Sequence, residues 1–365
     1  MRDCRQVIDA LLRRKPAARV GLNDGPWGDT VAKWVKQGMP ADEKGNAVDV
    51  VDHFGFDMAG CGGWFDWQPL RGVAEVIEET QEWKVVRNGS GAALKWWKNK
   101  SGTPEHIDFR MTSRAVWDRD YRPHLMELDR QRLHDLKGQA EGLARRREQG
   151  LWTFFGNQFI WENMRASMGD YVMYMSLVED PGWIHDFNRV YTDVYKTYFR
   201  ILLEEAGRPD GIWIYEDLGY RGSLFCSPRT LEELIFPYYA ELVAFFHSYG
   251  LPVVFHTCGY TEPALELIVA AGFDALNPME AKAGNDALRI ADKYADKLAF
   301  VGGLDARILE SGDRERIRRG VGDLIDGMKD RGASFVYGSD HSISTLVDYD
   351  AFRYSLEVYR EHMAY

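Results

Sequence analysis

The sequence predicts a distorted (β/α)8 barrel: one α/β domain over residues 1–365, with an insertion in its N-terminal half at about 61–149. Three observations predict it. Short apolar runs alternate with helical stretches through the second half of the chain, and glycines stand where those helices stop. About eight such runs can be counted, the number that closes a barrel. The competing architecture, an open doubly wound sheet, lacks its Gly-x-Gly-x-x-Gly turn.

From residue 211 the series is regular. Gly211-Ile-Trp-Ile-Tyr215, Leu251-Pro-Val-Val-Phe255, Phe273-Asp-Ala-Leu276, Leu298-Ala-Phe-Val301 and Ser334-Phe-Val-Tyr337 read as strands. Helical patterns fill 227–249, 261–271, 285–295 and 313–331. Ser227-Pro228 is a start signal, and Gly250, Gly272 and Gly332 stand just past helix ends. The first half is less regular. Arg19-Val-Gly-Leu22 reads as a first strand, 53–58 as a second and Trp152-Thr-Phe-Phe155 as a third, with a helical region over 170–206 broken near Pro181. The insertion carries Trp64, Trp67, Trp83, Trp96, Trp97 and Trp117. An amphipathic helix is expected over 1–16, without the apolar block of a signal peptide.

Composition excludes several classes. Acidic residues outnumber basic ones by 56 to 45, a net charge of −11 spread along the chain, so a nucleic-acid backbone is not the expected partner. No run of about 18 apolar residues is present, and no membrane partner is expected. Four cysteines in 365 residues make no disulfide framework, which points to a cytoplasmic protein with reduced thiols.

Polar residues collect where the apolar runs stop: Asn157, Glu216, Asp217, His256, Cys258, Asn277, Asp305, Asp340 and His341. In a barrel these strand ends converge on the face that carries catalysis. His256-Thr-Cys258 is the sharpest feature, because residues two apart on a strand point to the same side and can offer imidazole and thiolate to one zinc. A third ligand would come from His341, Glu216 or Asp340. Glu216 and Asp217 are adjacent and face opposite ways on a strand, so at most one enters the site unless the chain has turned. Glu216, Asp305 and His341 are the candidates for proton transfer or ligand support, and Asn157 and Asn277 for cofactor binding. Asp305 can equally be the N-cap of the helix that follows it.

From Leu151 onward the sequence resembles the uroporphyrinogen decarboxylase superfamily. The carrying segments include Trp152-Thr-Phe-Phe-Gly156, Glu216-Asp-Leu-Gly-Tyr220, Phe236-Pro-Tyr-Tyr239, Val254-Phe-His-Thr-Cys-Gly259, Val301-Gly-Gly-Leu-Asp305 and Gly338-Ser-Asp-His-Ser-Ile343. The resemblance implies a distorted (β/α)8 barrel and one of two chemistries. Porphyrinogen decarboxylases need no cofactor and hold propionates with an N-terminal arginine-rich pattern, which the sequence around Arg19 lacks. Corrinoid-linked methyltransferases bind zinc through a His-x-Cys pair, matched by His256 and Cys258, and a later Cys, near whose place His341 stands. The resemblance is closer to this second branch. It implies a zinc-dependent methyltransferase acting between a small-molecule substrate, with an O-methyl aromatic as one candidate, and a corrinoid on a partner protein. A homodimer stays open, as do a metal-free decarboxylase and a non-catalytic barrel that binds a small molecule.

Overall fold

The structure is a computed structural model that describes residues 3–365. Met1 and Arg2, the first residues of the expected N-terminal helix, lie outside the described residues. The helix itself runs Cys4–Leu12. Its Val7, Ile8, Leu11 and Leu12 form one buried stripe, at the spacing a helix needs to present a single apolar face.

The barrel begins with β1 (Gly21–Leu22) and β2 (Met58–Gly62). The second strand thus starts where its expected position ends. Residues 50–54 instead form a helix, because the Asp49 carboxylate caps the Val51 and Asp52 N–H groups and Gly55 closes it in the left-handed region. Next comes a four-stranded antiparallel sheet, β3 (Ala74–Glu79), β4 (Trp83–Asn88), β5 (Ala92–Trp97) and β6 (Glu105–Phe109). Helical turns and the helix Leu136–Glu148, which packs on β2, lead back to the barrel at β7 (Trp152–Gln158). The helices Ile160–Glu179 and Pro181–Ile201 separate β7 from β8 (Gly211–Tyr215), and the break falls at Pro181. A small hairpin follows, β9 (Gly219–Tyr220) with β10 (Ser223–Leu224). The remaining strands are β11 (Val253–His256), β12 (Ala275–Asn277), β13 (Ala299–Val301) and β14 (Phe335–Tyr337), each followed by helix.

Eight strands pair in parallel in the order β1-β14-β13-β12-β11-β8-β7-β2. The ring closes between β1 and β2 through Asp57: its N–H donates to Leu22 O at 2.7 Å and its carboxylate accepts the Leu22 N–H at 2.8 Å. Arg19 pairs with the same carboxylate at 2.7 Å. The chain is therefore a (β/α)8 barrel rather than an open sheet.

The alternation of strand residues creates two cores. Inward residues, among them Met58, Trp152, Trp213, Val254, Ala275, Ala299 and Val336, fill the barrel. Outward ones, such as Phe155, Ile214, Phe255 and Phe335, join the larger core under the helices. The helix Cys4–Leu12 plugs the end where the strands begin. Its apolar face joins the inward set, the Arg5 N–H donates to Gly150 O, and Arg13 and Arg14 donate to Gly250 O and Asp274 O. Each of those acceptors lies just before a barrel strand. Among the described residues, no helix is long and apolar enough to cross a membrane.

Candidate functional site

The opposite end of the barrel holds polar side chains at the strand ends. His256 is the last residue of β11 and follows the inward Val254, so its ring enters the barrel mouth. Its Nδ1 meets Asn277 Oδ1 at 2.5 Å, while the Asn277 amide N–H donates to Val301 O at 2.9 Å. That second bond orients the amide, so the oxygen faces the imidazole and Nδ1 carries the proton. The Nε2 lone pair is left directed at Cys258 Sγ, 3.4 Å away. This is how a protein presents a histidine to a metal.

Asp217 completes the arrangement. Its Oδ1 lies 3.8 Å from His256 Nε2 and accepts the Cys258 N–H at 2.9 Å. One donor atom from each of Asp217, His256 and Cys258 lies within 4.8 Å of the other two, and no other such cluster occurs among the described residues. Two loops must meet for this to happen. The Thr257 hydroxyl accepts the Leu218 N–H at 3.0 Å, which turns the chain just after Asp217. Gly259 has φ +81° and packs on the Gly219 backbone so closely that a Cβ there would lie 2.1 Å from the Gly219 carbonyl carbon. Burial, together with the carboxylates of Asp217, Glu280 and Asp340, pushes the Cys258 thiol well above its ordinary range. A thiol and a carboxylate beside an oriented imidazole form a donor set that a divalent cation stabilises, and its softness suits zinc.

His256 and Asn277 also line a cavity of about 330 Å³ inside the mouth. Phe154, Trp213 and Tyr215 form one wall, with ring centroids 5.1 Å apart for Phe154 and Trp213. Asn23, Asp24, Ser339 and His341 supply polar groups. The Asp24 carboxylate accepts the Ser339 hydroxyl at 2.8 Å and the Ser339 N–H at 3.0 Å, tying the loop after β1 to the loop that carries His341. No lysine or arginine is in this lining.

The other expected residues take different places. Glu216 follows the inward Tyr215 and so faces outward, fully buried. Its carboxylate accepts N–H groups of Phe159, Trp161 and Glu162 at 2.5, 2.8 and 3.3 Å, and the Tyr239 hydroxyl. It is the cap of the helix Ile160–Glu179, and its neighbour Asp217 is the carboxylate in the cluster. Asp340 is likewise a buried acceptor, for the Ala281 and Ala306 N–H groups at 2.8 and 2.9 Å. His341 lines the cavity but stands outside the donor cluster. Asp305 caps the helix Ala306–Glu310 through the Arg307 N–H and pairs with the Arg307 side chain at 2.7 Å. Asn157 faces outward and donates to Gly63 O at 2.8 Å, joining β7 to the loop after β2. Sequence reasoning missed Asp24, although Asn23-Asp24 ends a strand, and it missed the aromatic wall, which alternation along β7 and β8 could have revealed. The insertion's tryptophans do not line the cavity: Trp117 is buried in the outer core, and Trp97 meets Lys95 and Lys100.

No curated protein sequence matched. Among solved structures, a methyltransferase from Methanosarcina mazei superposes over 99% of both chains with a TM-score of 0.66 at 14% identity, which is a likeness of fold. An AP endonuclease of family 2 from Brucella melitensis reaches a TM-score of 0.34 at 12% identity, over 58% of this chain and 81% of its own. The family model described as uroporphyrinogen decarboxylase (URO-D) matches residues 164–362, more than half of the chain and all of the barrel from β8 to β14. By that match this chain belongs to the uroporphyrinogen decarboxylase family.

Proposed function

We propose that the protein is a zinc-dependent methyltransferase that moves a methyl group between a small substrate, an O-methyl aromatic, and a corrinoid carried by a partner protein. The observation that carries this reading is the convergence of Asp217, His256 and Cys258 beside an aromatic-walled cavity. The three residues would hold zinc, with Asn277 fixing the imidazole tautomer. When bound, zinc supplies a Lewis acid that stabilises charge on a departing oxygen or sulfur.

The rest is done by side chains present in the chain. Phe154, Trp213 and Tyr215 offer ring faces on which a planar substrate can stack, with its heteroatom toward His256. Tyr215 stays protonated, since burial pushes it up to about 12. Its hydroxyl and His341 are among the groups within the mouth able to hold or pass a proton to the substrate oxygen. A cavity of about 330 Å³ is at the small end of the roughly 300–1,000 Å³ typical of small-molecule sites. The missing cations also disfavour a polycarboxylated macrocycle. Arg165 is paired with Glu162 and Asp170, Arg307 with Asp305, and Arg221 is exposed outside the lining. A cytoplasmic setting, in which thiols stay reduced, suits this chemistry.

The test is an anaerobic assay offering methoxyarenes, methylamines and methylthiols to reduced cobalamin, followed by the absorbance of methylcobalamin. Methyl transfer from a methoxyarene is the expected result. Carbon dioxide release from a carboxylated pyrrole, with no methyl transfer and no zinc in protein purified without chelators, would replace this reading with a decarboxylase.

A further inference from the structure

A second aromatic recess lies beside the mouth and outside the cavity just described. Trp27, Trp96, Trp97 and Lys100 line an open groove of about 600 Å³ between the insertion and the loop after β1. Trp96 is 42% exposed and open to the groove. Trp97 is held firmly. Its indole N–H donates to Glu105 at 2.9 Å, and the Lys95 and Lys100 ammonium groups lie 4.6 and 4.4 Å from its ring centroid. Glu105 also lines the groove, with its carboxylate engaged by Trp97 and, at 3.5 Å, by Lys95.

The two walls come from distant segments and are tied together. The Ser101 N–H donates to the Asp29 carboxylate at 3.2 Å, and the Asp29 N–H donates to the Ser101 hydroxyl at 3.4 Å. The Trp27 N–H donates to Ile343 O at 3.1 Å. Trp27 and Ile343 are the immediate neighbours of Pro26 and Ser342, which line the inner cavity. The wall of the groove is thus tied to the two loops that also line the inner cavity.

Charge divides the two recesses. The inner cavity has aromatic walls and no lysine or arginine in its lining, whereas the groove has aromatic walls, Lys100 and a Glu105 carboxylate already engaged by Trp97 and Lys95. From this we infer that the groove is an outer binding station for planar aromatic carboxylates, with the ring stacked against Trp96 and the carboxylate paired with Lys100. The inference rests on the methyltransferase reading only for its purpose: it makes methoxylated aromatic acids the substrate class gathered at the rim before methyl transfer. The binding itself requires neither zinc nor turnover.

The experiment titrates the full chain with 4-methoxybenzoate and, separately, with uncharged anisole, following heat and tryptophan fluorescence. Trp96→Ala should weaken binding of the acid by about 10-fold, as expected for loss of one stacking surface. Lys100→Ala should weaken the acid by about 10-fold while leaving anisole unchanged. Raised salt should weaken the acid alone. Trp64→Ala, an exposed tryptophan elsewhere in the insertion, should bind as the parent does. Protein treated with a chelator should show the same losses in Trp96→Ala and Lys100→Ala, so a failure of the methyl-transfer assay leaves this result standing and separable. Equal affinity of the parent, Trp96→Ala and Lys100→Ala for the acid would overturn the inference, as would the absence of saturable binding.

Discussion

The two ends of this barrel are built from the same strands and do opposite work. At the end where the strands begin, Trp152, Val254, Ala275 and Val336 meet the apolar face of the helix Cys4–Leu12 and exclude water. At the other end, His256 and Asn277 occupy the next inward positions along β11 and β12, two residues beyond Val254 and Ala275. A step of two residues along one face replaces a packed interior by an oriented hydrogen-bond network. The plugged end supplies a rigid scaffold, and the open end uses that rigidity to hold polar groups that are costly to converge. Substitutions at the two ends should therefore separate stability from chemistry.

The largest effect is expected at the mouth. His256→Ala and Cys258→Ala should each lose most of the zinc and slow turnover by about 100-fold or more, with thermal unfolding close to that of the parent. Metal analysis showing undiminished zinc in both variants would sink the site. At the plugged end, Trp152→Ala should do the reverse. It removes a fully buried indole and should cost about 3–5 kcal/mol in denaturant unfolding, while zinc per folded chain stays the same.

Between the ends, Glu216 and Asp217 test the comparison within two residues. Glu216→Ala leaves three N–H groups, two of them buried, without their acceptor and should destabilise by about 2–3 kcal/mol. Glu216→Gln, which keeps one acceptor oxygen, should recover part of that loss, whereas Asp217→Asn should weaken zinc binding with little change in stability. Asn277→Ala should reduce zinc affinity by about 10–100-fold by freeing the imidazole tautomer. Equal affinity in this variant, measured by competition with a chelator, would mean that the His256–Asn277 bond does not set the tautomer. The smallest effect belongs to Asp305→Ala. Loss of a helix cap should cost about 1 kcal/mol, and turnover should be unaffected. A large fall in turnover would instead place Asp305 in the chemistry.

Much of this was legible from the chain alone. The strand–helix alternation after residue 211 determined the barrel, because an apolar run of four or five residues ending in polar groups suits a buried parallel strand. The same periodicity put His256 and Cys258 on one side. Their spacing of two is local geometry and needs no fold. Other parts depended on the tertiary structure. Glu216 and Asp217 are adjacent acids of similar chemistry, and what separates them is where β8 leaves the sheet. Glu216 is still held by its N–H to His256 O at 2.9 Å, while Asp217 has already turned toward β11. That turn depends on Thr257 and Gly259, some forty residues away, and no local pattern encodes it. The amphipathic stripe of the N-terminal helix was likewise readable, but the surface it covers was not. Sequence alone specified which residues seek an apolar partner or a proton acceptor. Closure of the barrel decided which partner each one met, because that choice depends on contacts between segments far apart along the chain.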